Sequence, residues 1–392
     1  VIQSGDLALS TAPLSQELVH IPYKKPALIP GKEYRLMLHA VLKKDELWAK
    51  AGHEVAWEEL ELPWSLPCSS EEKAQGVPSY PLSEKELVVS GDGFKYVFNR
   101  TDGQLTSMVV QDMELLESPL RLNLWRAPLA NELDNWNASS ARSSNWKKGY
   151  GYTVATEMYS AGIDRLTHQP LSFSVSETTE GVHIHIIDAE LMGKGEKEKK
   201  DLYIEGVQNN GIINHYEYII NSEGTIEIRH VLKPEGKMPL WFPRIGLTLT
   251  VSDALDQVKW YGRGPQENYP DRKTGYPMGI YASTVQAMYE PYLMPQDYGL
   301  RTDVRWLQLT TDKGIGLQFK MNEWFNFNIY PYSTDNLTKA MYTYQLQKQK
   351  GMTLNLDYAT TGVGCTARGV FGAYKAMPQE YRRTISIRPM MK

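Results

Sequence analysis

The sequence predicts an all-β protein, and three observations support this fold class. Apolar residues alternate with polar ones at the strand period of two along most of the chain. Turn signals containing glycine recur roughly every 8–12 residues, which is the spacing found in β-sandwiches and barrels. Long amphipathic windows with the 3.6-residue period of a helix are nearly absent.

Each predicted hairpin consists of two alternating runs around a turn. The runs lie, in chain order, at 94–99 and 105–110 around Asp102-Gly103, at 171–175 and 182–186 around Glu180-Gly181, at 216–220 and 226–228 around 222–224, and at 306–309 and 315–319 around 312–314. A further strand is predicted over 245–251, where Ile, Leu and Val alternate with Gly and Thr. The charged stretch 194–201 is interpreted as a solvated hairpin tip.

The chain divides into two predicted domains. Residues 1–64 hold strand-like runs at 34–42 and 54–62 but are too short for a complete sandwich of about 100 residues. Serine and proline cluster over residues 65–85, which predicts a linker. From residue 86 to 392 the β pattern continues without a clear break, and we expect two large packed sheets there. The chain starts at Val1 rather than Met, which predicts that an upstream segment has been removed.

Composition excludes several functional classes. Lys and Arg number 42 against 46 Asp and Glu, so the net charge of −4 argues against binding to nucleic acid or anionic membranes. No apolar run approaches the roughly 20 residues of a membrane helix, and no signal-peptide pattern is visible. Cys68 and Cys365 are expected to be two free thiols, with one disulfide as the alternative, which leaves the compartment, bacterial cytoplasm or periplasm, open.

The aromatic residues are unusually polar. There are 24 Tyr and 10 Trp but only 8 Phe. Tyr and Trp combine an apolar ring with a polar edge. This composition is typical both of half-exposed sheet surfaces and of sugar-stacking platforms, and both interpretations stay open.

Local patterns reveal few catalytic signatures. His183 and His185 share one face of a strand and could bind a metal, but no third ligand is evident, so we interpret them as surface histidines and predict no metal. Glu267 and Asp271, with Arg263 and Arg272 nearby, predict one cluster of ion pairs and hydrogen bonds at a loop.

Several segments together carry a resemblance to one family. They are 51–58 (AGHEVAWE), 98–103 (FNRTDG), 126–132 (RAPLANE), 260–272 (WYGRGPQENYPDR), 289–292 (YEPY), 295–297 (PQD) and 299–306 (GLRTDVRW). In this order they resemble the large β-galactosidases of glycoside hydrolase family 2. The resemblance covers essentially the whole chain.

The resemblance implies a domain assignment. Residues 1–64 resemble the latter part of the fourth family domain, an immunoglobulin-like β-sandwich. Residues 86–392 resemble the complete fifth, "small chain" domain, an antiparallel β-supersandwich similar to galactose mutarotase. Family members are retaining glycosidases whose two catalytic glutamates lie on a (β/α)8 barrel. That barrel needs about 250 residues, and this sequence has neither its pattern nor its length. We therefore predict no catalytic carboxylate in this chain and no activity of the chain alone.

The resemblance also assigns roles to individual residues. The active-site loop candidates are Asp102, Gly103 and Gln104, with Gly103 as the hinge. The substrate-edge candidates are Arg126, Asn131, Arg368 and Phe371. The structural motif comprises Glu267, Asn268, Asp271 and Arg272. The family's sugar-stacking Trp is replaced by Gly369, so Phe371 is the neighbour that would supply a ring, and the natural glycan stays open.

The resemblance implies partners as well. A barrel domain or large subunit, a β-galactoside or glycan, and other copies in a homo-oligomer are expected; Mg²⁺ and Na⁺ are expected mainly at the missing barrel, and no cofactor in this chain. Two alternatives remain: a stand-alone carbohydrate-binding module and an aldose 1-epimerase. The epimerase needs a His acid and a Glu base in one cleft. His183, His185, His215 and His230 fall on predicted strands, but no motif ties them to a Glu.

Overall fold

The computed structural model describes residues 1–67, 76–133, 154–193, 210–365 and 369–391. It divides into two compact units, Val1–Lys73 and Ala74–Lys392. The predictions made for Cys68, for Arg368, for the hairpin tip at 194–201 and for part of the 65–85 linker lie outside the described residues. Cys365 is an exposed free thiol.

The described residues form eighteen strands and three α-helices. The first strands are β1 (Tyr34–Val41), β2 (Glu54–Leu62), β3 (Glu86–Gly91), β4 (Phe94–Asn99), β5 (Gln104–Val110), β6 (Met113–Glu114), β7 (Leu116–Asn123), β8 (Thr167–Thr178) and β9 (Gly181–Leu191). The others are β10 (Gly211–Ile220), β11 (Ile226–Glu235), β12 (Arg244–Val251), β13 (Gln257–Arg263), β14 (Met278–Thr284), β15 (Arg301–Thr310), β16 (Gly316–Tyr330), β17 (Met352–Thr360) and β18 (Tyr381–Met390). The helices are α1 (Ala130–Leu133), α2 (Val154–Ala161) and α3 (Thr334–Lys339).

The first unit contains one antiparallel hairpin, β1 with β2, in which Tyr34 lies opposite Leu62. The Tyr34 side chain is buried, and its hydroxyl accepts the Ile29 N–H over 2.8 Å. The Trp64 ring lies 6.2 Å from the Tyr34 ring. The apolar packing of this unit therefore centres on two aromatic side chains.

The second unit is built on one large antiparallel sheet that divides at β16. Its main path runs β14-β13-β15-β16-β18-β11-β10-β9-β8. Residues 316–321 of β16 pair with β18, whereas residues 326–330 pair with β17 and so begin a second wing, β17-β12-β7. A separate four-stranded sheet has the order β3-β4-β5-β6. The all-β prediction is confirmed.

The hydrophobic core lies between these sheets. The Phe98 ring of β4 lies 5.2 Å from the Tyr218 ring of β10, edge to face. Tyr96 is fully buried and donates its hydroxyl to Gly224 O over 2.7 Å. Leu247 of β12 and Leu354 of β17 are also fully buried, and each such side chain stabilises the fold by about 1.5–3 kcal/mol.

The predicted hairpins are confirmed as β4–β5, β8–β9, β10–β11 and β15–β16. The three helices are too short to leave a periodic signal, and the sequence did not predict them. Part of the segment predicted as a linker lies along β3. Ser79 forms an antiparallel bridge with Ser90 of β3, and Leu82 forms one with Leu87. None of the helices in the described part of the chain combines the length and apolar character that crossing a bilayer requires.

Candidate functional site

A layer of buried polar side chains lies on one face of β12, β16 and β17. The Arg244 side chain is fully buried, and its Nη2 lies 3.4 Å from Asp297 Oδ2 and 3.3 Å from Asp357 Oδ2. The same Nη2 donates to Asn328 Oδ1 over 3.2 Å, and Asn328 Nδ2 donates to Asp297 over 3.1 Å. One buried cation therefore holds two buried carboxylates together.

Burial shifts the titration of both carboxylates. It raises the pKa of Asp357 to about 6, although the Arg244 guanidinium opposes the rise. Burial also raises the pKa of Asp297, again against Arg244. Because both acids are closed to solvent, we interpret this polar layer as a support for the loops above it rather than as a proton donor.

Arg126 holds a turn over residues 361–364, which directly follows β17. It is fully buried, and its guanidinium donates to Thr361 O over 2.7 Å and to Gly362 O over 3.1 Å. Its Nη2 also pairs with Glu132 Oε1 of α1 at 2.7 Å. The substrate-edge role would require Arg126 to lie at an exposed edge of this chain, but the side chain is buried. Its guanidinium instead holds two backbone carbonyls.

Two further side chains bind the carbonyl and N–H groups of Val363 and Gly364 in the same turn. Asn131 of α1 donates Nδ2–H to Val363 O over 3.0 Å and to Gly364 O over 3.3 Å. Asp271 accepts the Val363 N–H at Oδ1 over 2.9 Å and the Gly364 N–H at Oδ2 over 2.7 Å. Bonds to an ionised carboxylate are stronger than neutral ones. These two side chains thus hold the turn through its backbone atoms, and the Thr361 hydroxyl adds a bond to Phe242 O over 2.6 Å.

The glycines of this turn are required by close approach and by backbone conformation. A Cβ at Gly362 would lie 2.3 Å from Asp271 Cγ. Gly364 has a φ of +61°, in the left-handed region that glycine adopts without steric cost. The Gly-Val-Gly sequence therefore lets the carboxylate of Asp271 reach two successive amides.

Beyond the held turn, Gly369 donates its N–H to Cys365 O over 3.0 Å. Phe371 follows with 74% of its surface exposed. Arg368, the fourth substrate-edge candidate, lies outside the described residues.

The motif before Asp271 is fixed in the same way. The Glu267 carboxylate accepts the Gly299 N–H and an Arg272 N–H, each over 2.9 Å, as well as the Tyr292 hydroxyl. The Arg272 guanidinium also lies 5.4 Å from the centre of the Tyr269 ring. These bonds fix the segment that presents Asp271.

The ionic cluster predicted for this loop is present in part, because Arg272 pairs with Glu267 at 2.9 Å whereas Arg263 pairs elsewhere. Arg263 pairs with Asp303 at 2.6 Å, because it ends β13 beside the start of the neighbouring strand β15. Asn268 accepts the Thr302 N–H over 3.1 Å and the Thr302 hydroxyl over 2.5 Å. Arg263 and Asn268 therefore make contacts separate from the Glu267–Arg272 pair.

The loop predicted at Asp102-Gly103-Gln104 is the tight turn between β4 and β5. Gly103 has a φ of +74° and donates its N–H to Asn99 O over 2.9 Å. Asp102 Oδ1 accepts the Gln104 N–H over 3.0 Å, and Asn99 Nδ2 donates to Asp102 Oδ2 over 3.2 Å. Local hydrogen bonds therefore close the turn.

The large sheet clamps this turn from outside. His168 of β8 lies 2.7 Å through Nε2 from Asp102 O and 2.9 Å through Nδ1 from Glu190 Oε1. The hydrogen bond to Glu190 raises the pKa of His168 to about 9, against the effect of burial. Both ring nitrogens then donate, as in an imidazolium. A Cβ at Gly103 would lie 2.8 Å from Ile186 Cγ2, so the turn also packs directly on β9.

The sequence of this chain matches two known family models. A family model described as beta-galactosidase small chain matches residues 90–387. The chain belongs to the β-galactosidase small-chain family. Residues 1–63 match a second model, described as beta-galactosidase domain 4.

Two relatives extend this result. A β-galactosidase of Priestia megaterium is 32% identical over 332 residues, which cover 85% of this chain and 29% of the relative. One from Pseudoalteromonas haloplanktis is 28% identical over 371 residues, covering 93% and 32%. The small-chain protein described here thus spans about a third of the length of these relatives.

Solved structures with similar folds are more distant. An aldose epimerase homologue from C. elegans is 9% identical with a TM-score of 0.39, covering 79% of this chain and 98% of that one. A galactose 1-epimerase from Lactobacillus acidophilus is 10% identical with a TM-score of 0.36, covering 80% and 98%.

Three supporting residues of this small-chain domain were not assigned a role from the sequence. Asp297 lies in the family segment 295–297, to which no role was assigned. Its position in that segment was the only sequence signal for it. Arg244 and His168 carried no sequence signal beyond a charged or polar residue beside an apolar run. Their roles depend on neighbours far along the chain, such as Asp357 for Arg244 and Asp102 for His168.

Proposed function

We propose that this chain is the non-catalytic C-terminal region of a retaining β-galactosidase, which closes one side of the active site of the missing barrel. The observation that carries the proposal is the convergence of Arg126, Asn131 and Asp271 on the backbone of residues 361–364. Three side chains, two from the segment 126–132 and one from the segment 260–272, fix one turn. Such a fixed turn is what a surface needs in order to position a substrate.

In this proposal the chemistry belongs to two glutamates of the barrel and not to this chain. The chain's own residues orient the glycoside and exclude water at the rim of the site. Phe371, exposed seven residues beyond the held turn, would stack on a sugar ring in place of the tryptophan that Gly369 replaces. An aromatic contact of this kind is worth about 0.5–1.5 kcal/mol. The ions that the family implies would lie on the barrel, so no step here depends on them.

The turn at residues 102–104 would act as the moving part of the same rim. Gly103 has the left-handed conformation of a hinge residue, and His168 holds the carbonyl of Asp102. A barrel domain or large subunit, a β-galactoside or glycan, and further copies of the enzyme would be the partners.

The test is an aryl β-galactoside assay on the chain alone and on the full-length enzyme. The chain alone should show background hydrolysis, and hydrolysis well above it would overturn the proposal. In the full-length enzyme, Phe371→Ala should raise KM several-fold and Phe371→Trp should restore it. The control is Tyr344→Ala, which removes another exposed ring. Equal KM values for Phe371→Ala and the unmodified enzyme would remove Phe371 from the site.

One observation favours the second candidate, a stand-alone carbohydrate-binding module. A groove of about 570 Å³ is lined by Trp324 and Tyr374, which are 53% and 40% exposed. Asn322 and Lys375 supply polar groups beside these rings, as sugar recognition requires. Calorimetric titration of the chain with galactose, repeated on Trp324→Ala, separates the candidates, since saturable binding that this variant loses supports a module.

A further inference from the structure

His183 and His185 lie two residues apart on β9 and face the same side of the sheet. On the adjacent strand β10, Glu217 stands opposite His185 in the register. One ligand atom from each of these three side chains lies within 4.8 Å of the others. The structure therefore supplies the third ligand that the sequence did not reveal.

The spacing of two of these atoms already matches metal coordination. His183 Nδ1 lies 3.1 Å from Glu217 Oε1. Zinc bonds of about 2.0–2.2 Å at tetrahedral angles place neighbouring ligand atoms ~3.3 Å apart. The His185 side chain is exposed, so a rotation of its ring brings a nitrogen into the same shell without disturbing the core.

Neighbouring groups orient these ligands. Thr178 Oγ1 lies 2.9 Å from His183 Nε2 and accepts the Glu180 N–H over 3.1 Å. Because a hydroxyl both donates and accepts, Thr178 can bond Nε2 in either tautomer of His183, including the one whose Nδ1 lone pair is free for a metal. Arg229 donates to the other carboxylate oxygen of Glu217 over 3.2 Å, which leaves Oε1 directed at His183.

The local charge favours a divalent cation. Arg229 is surrounded by three carboxylates, those of Glu227 at 2.9 Å, Glu217 at 3.2 Å and Glu180 at 3.9 Å. One guanidinium against three carboxylates leaves a negative excess on this face of the sheet. Two imidazoles and one carboxylate select zinc-like metals over Mg²⁺ and Ca²⁺, which prefer oxygen ligands only.

The other comparable group among the described residues does not fit a metal. His168, Asp188 and Glu190 also lie close together. However, the hydrogen bond to Glu190 raises the pKa of His168 to about 9, and the resulting imidazolium has no lone pair for a metal. Asp188 accepts the Asn214 side-chain N–H over 2.7 Å. This group is a closed hydrogen-bonded ion pair.

We infer that His183, His185 and Glu217 form a binding site for a divalent transition metal of the zinc class. The metal is held by His183 Nδ1, a His185 ring nitrogen and Glu217 Oε1, and water takes the fourth position. The site joins β9 to β10 on the sheet surface, and it stands independently of the proposed role in β-galactosidase. The bound metal is expected to stabilise the pairing of these two strands.

The test is calorimetric titration of the chelator-treated chain with Zn²⁺, with Co²⁺ absorption as a report of tetrahedral coordination. We expect one site per chain, with affinity at least tenfold weaker in His185→Ala and in Glu217→Gln. Thr178→Val should weaken binding about 10-fold or more, because it removes the hydroxyl that orients the His183 ring. His215→Ala, which removes the histidine of β10 two residues from Glu217, is the matched control and should bind as the unmodified chain does.

Circular dichroism of the metal-free variants shows whether each one folds. The inference is overturned if the unmodified chain shows no saturable Zn²⁺ binding, or if folded His185→Ala and folded Glu217→Gln both bind with unchanged affinity. An equal loss of affinity in His215→Ala would also overturn it, since that result would place the metal elsewhere on β10.

Discussion

The backbone N–H of Gly364 donates to Asp271 Oδ2 over 2.7 Å, although 93 residues separate the two positions in the chain. The bond joins the most distinctive sequence segment of the protein to the turn that precedes Phe371. The segment's other contacts, at Glu267 and Asn268, keep Asp271 in place. The family motif is therefore a means of fixing a turn far along the chain.

Substituting Asp271 should loosen the turn. In Asp271→Asn, one of the two backbone amides loses its acceptor, because the side-chain NH₂ cannot accept a hydrogen bond. We expect the free energy of unfolding to fall by about 1–3 kcal/mol, measured by urea unfolding. Asp312→Asn, an exposed aspartate in the β15–β16 turn, is the matched control and should leave stability unchanged. Equal stabilities of the two variants would contradict the anchoring role.

Substituting Gly103 should lower the free energy of unfolding by more than backbone strain alone would. Gly103→Ala places a methyl group 2.8 Å from Ile186 Cγ2 in a left-handed conformation. Gly314→Ala carries the same strain at φ +84° but meets no atom within 4 Å. We expect Gly103→Ala to lower the free energy of unfolding by about 1–3 kcal/mol more than Gly314→Ala does.

The same pair of variants tests the loop in the full-length enzyme. Gly103→Ala should lower kcat/KM, since a hinge that cannot change its backbone conformation cannot close the rim. Gly314→Ala should leave kcat/KM unchanged. Unaltered kcat and KM in Gly103→Ala would remove the loop from the mechanism.

The clamp on Asp102 should be dependent on pH. The pKa of His168 is raised to about 9 in the folded protein from its ordinary value of 6.5, so its stabilising effect is complete below pH 6.5 and is lost as pH rises through about 9. The stability difference between the unmodified protein and His168→Asn should shrink over that range. Urea unfolding between pH 6 and 10 measures it, with His20→Asn, at an exposed position, as control. A difference that is constant with pH would show that His168 is not a charged clamp.

The strands were predictable because their signal is local. Ile245, Leu247 and Leu249 alternate with small or polar residues, and that pattern alone gives β12. Helix α1 was not predictable, since a four-residue turn is set by Glu132 bonding Arg126 rather than by periodicity.

The site was predictable only in part. The motif segments identified Arg126, Asn131 and Asp271, but not the shared turn that they hold. The burial of Arg126 depends on carbonyls more than 230 residues away. Arg263 was assigned to the wrong partners, because the pairing of β13 with β15 brings Asp303 to it. Long-range register, which no local pattern encodes, decides these contacts.

The turn at 361–364 is held chiefly by bonds to its amide and carbonyl groups, whereas Cys365 and Phe371, which follow it, are exposed. Under the proposed function, the residues that hold the turn and the ring that would contact the sugar are therefore different. A library of variants at residues 365–371 should therefore change the glycan preference of the full-length enzyme. The bonds that hold residues 361–364 should stay the same.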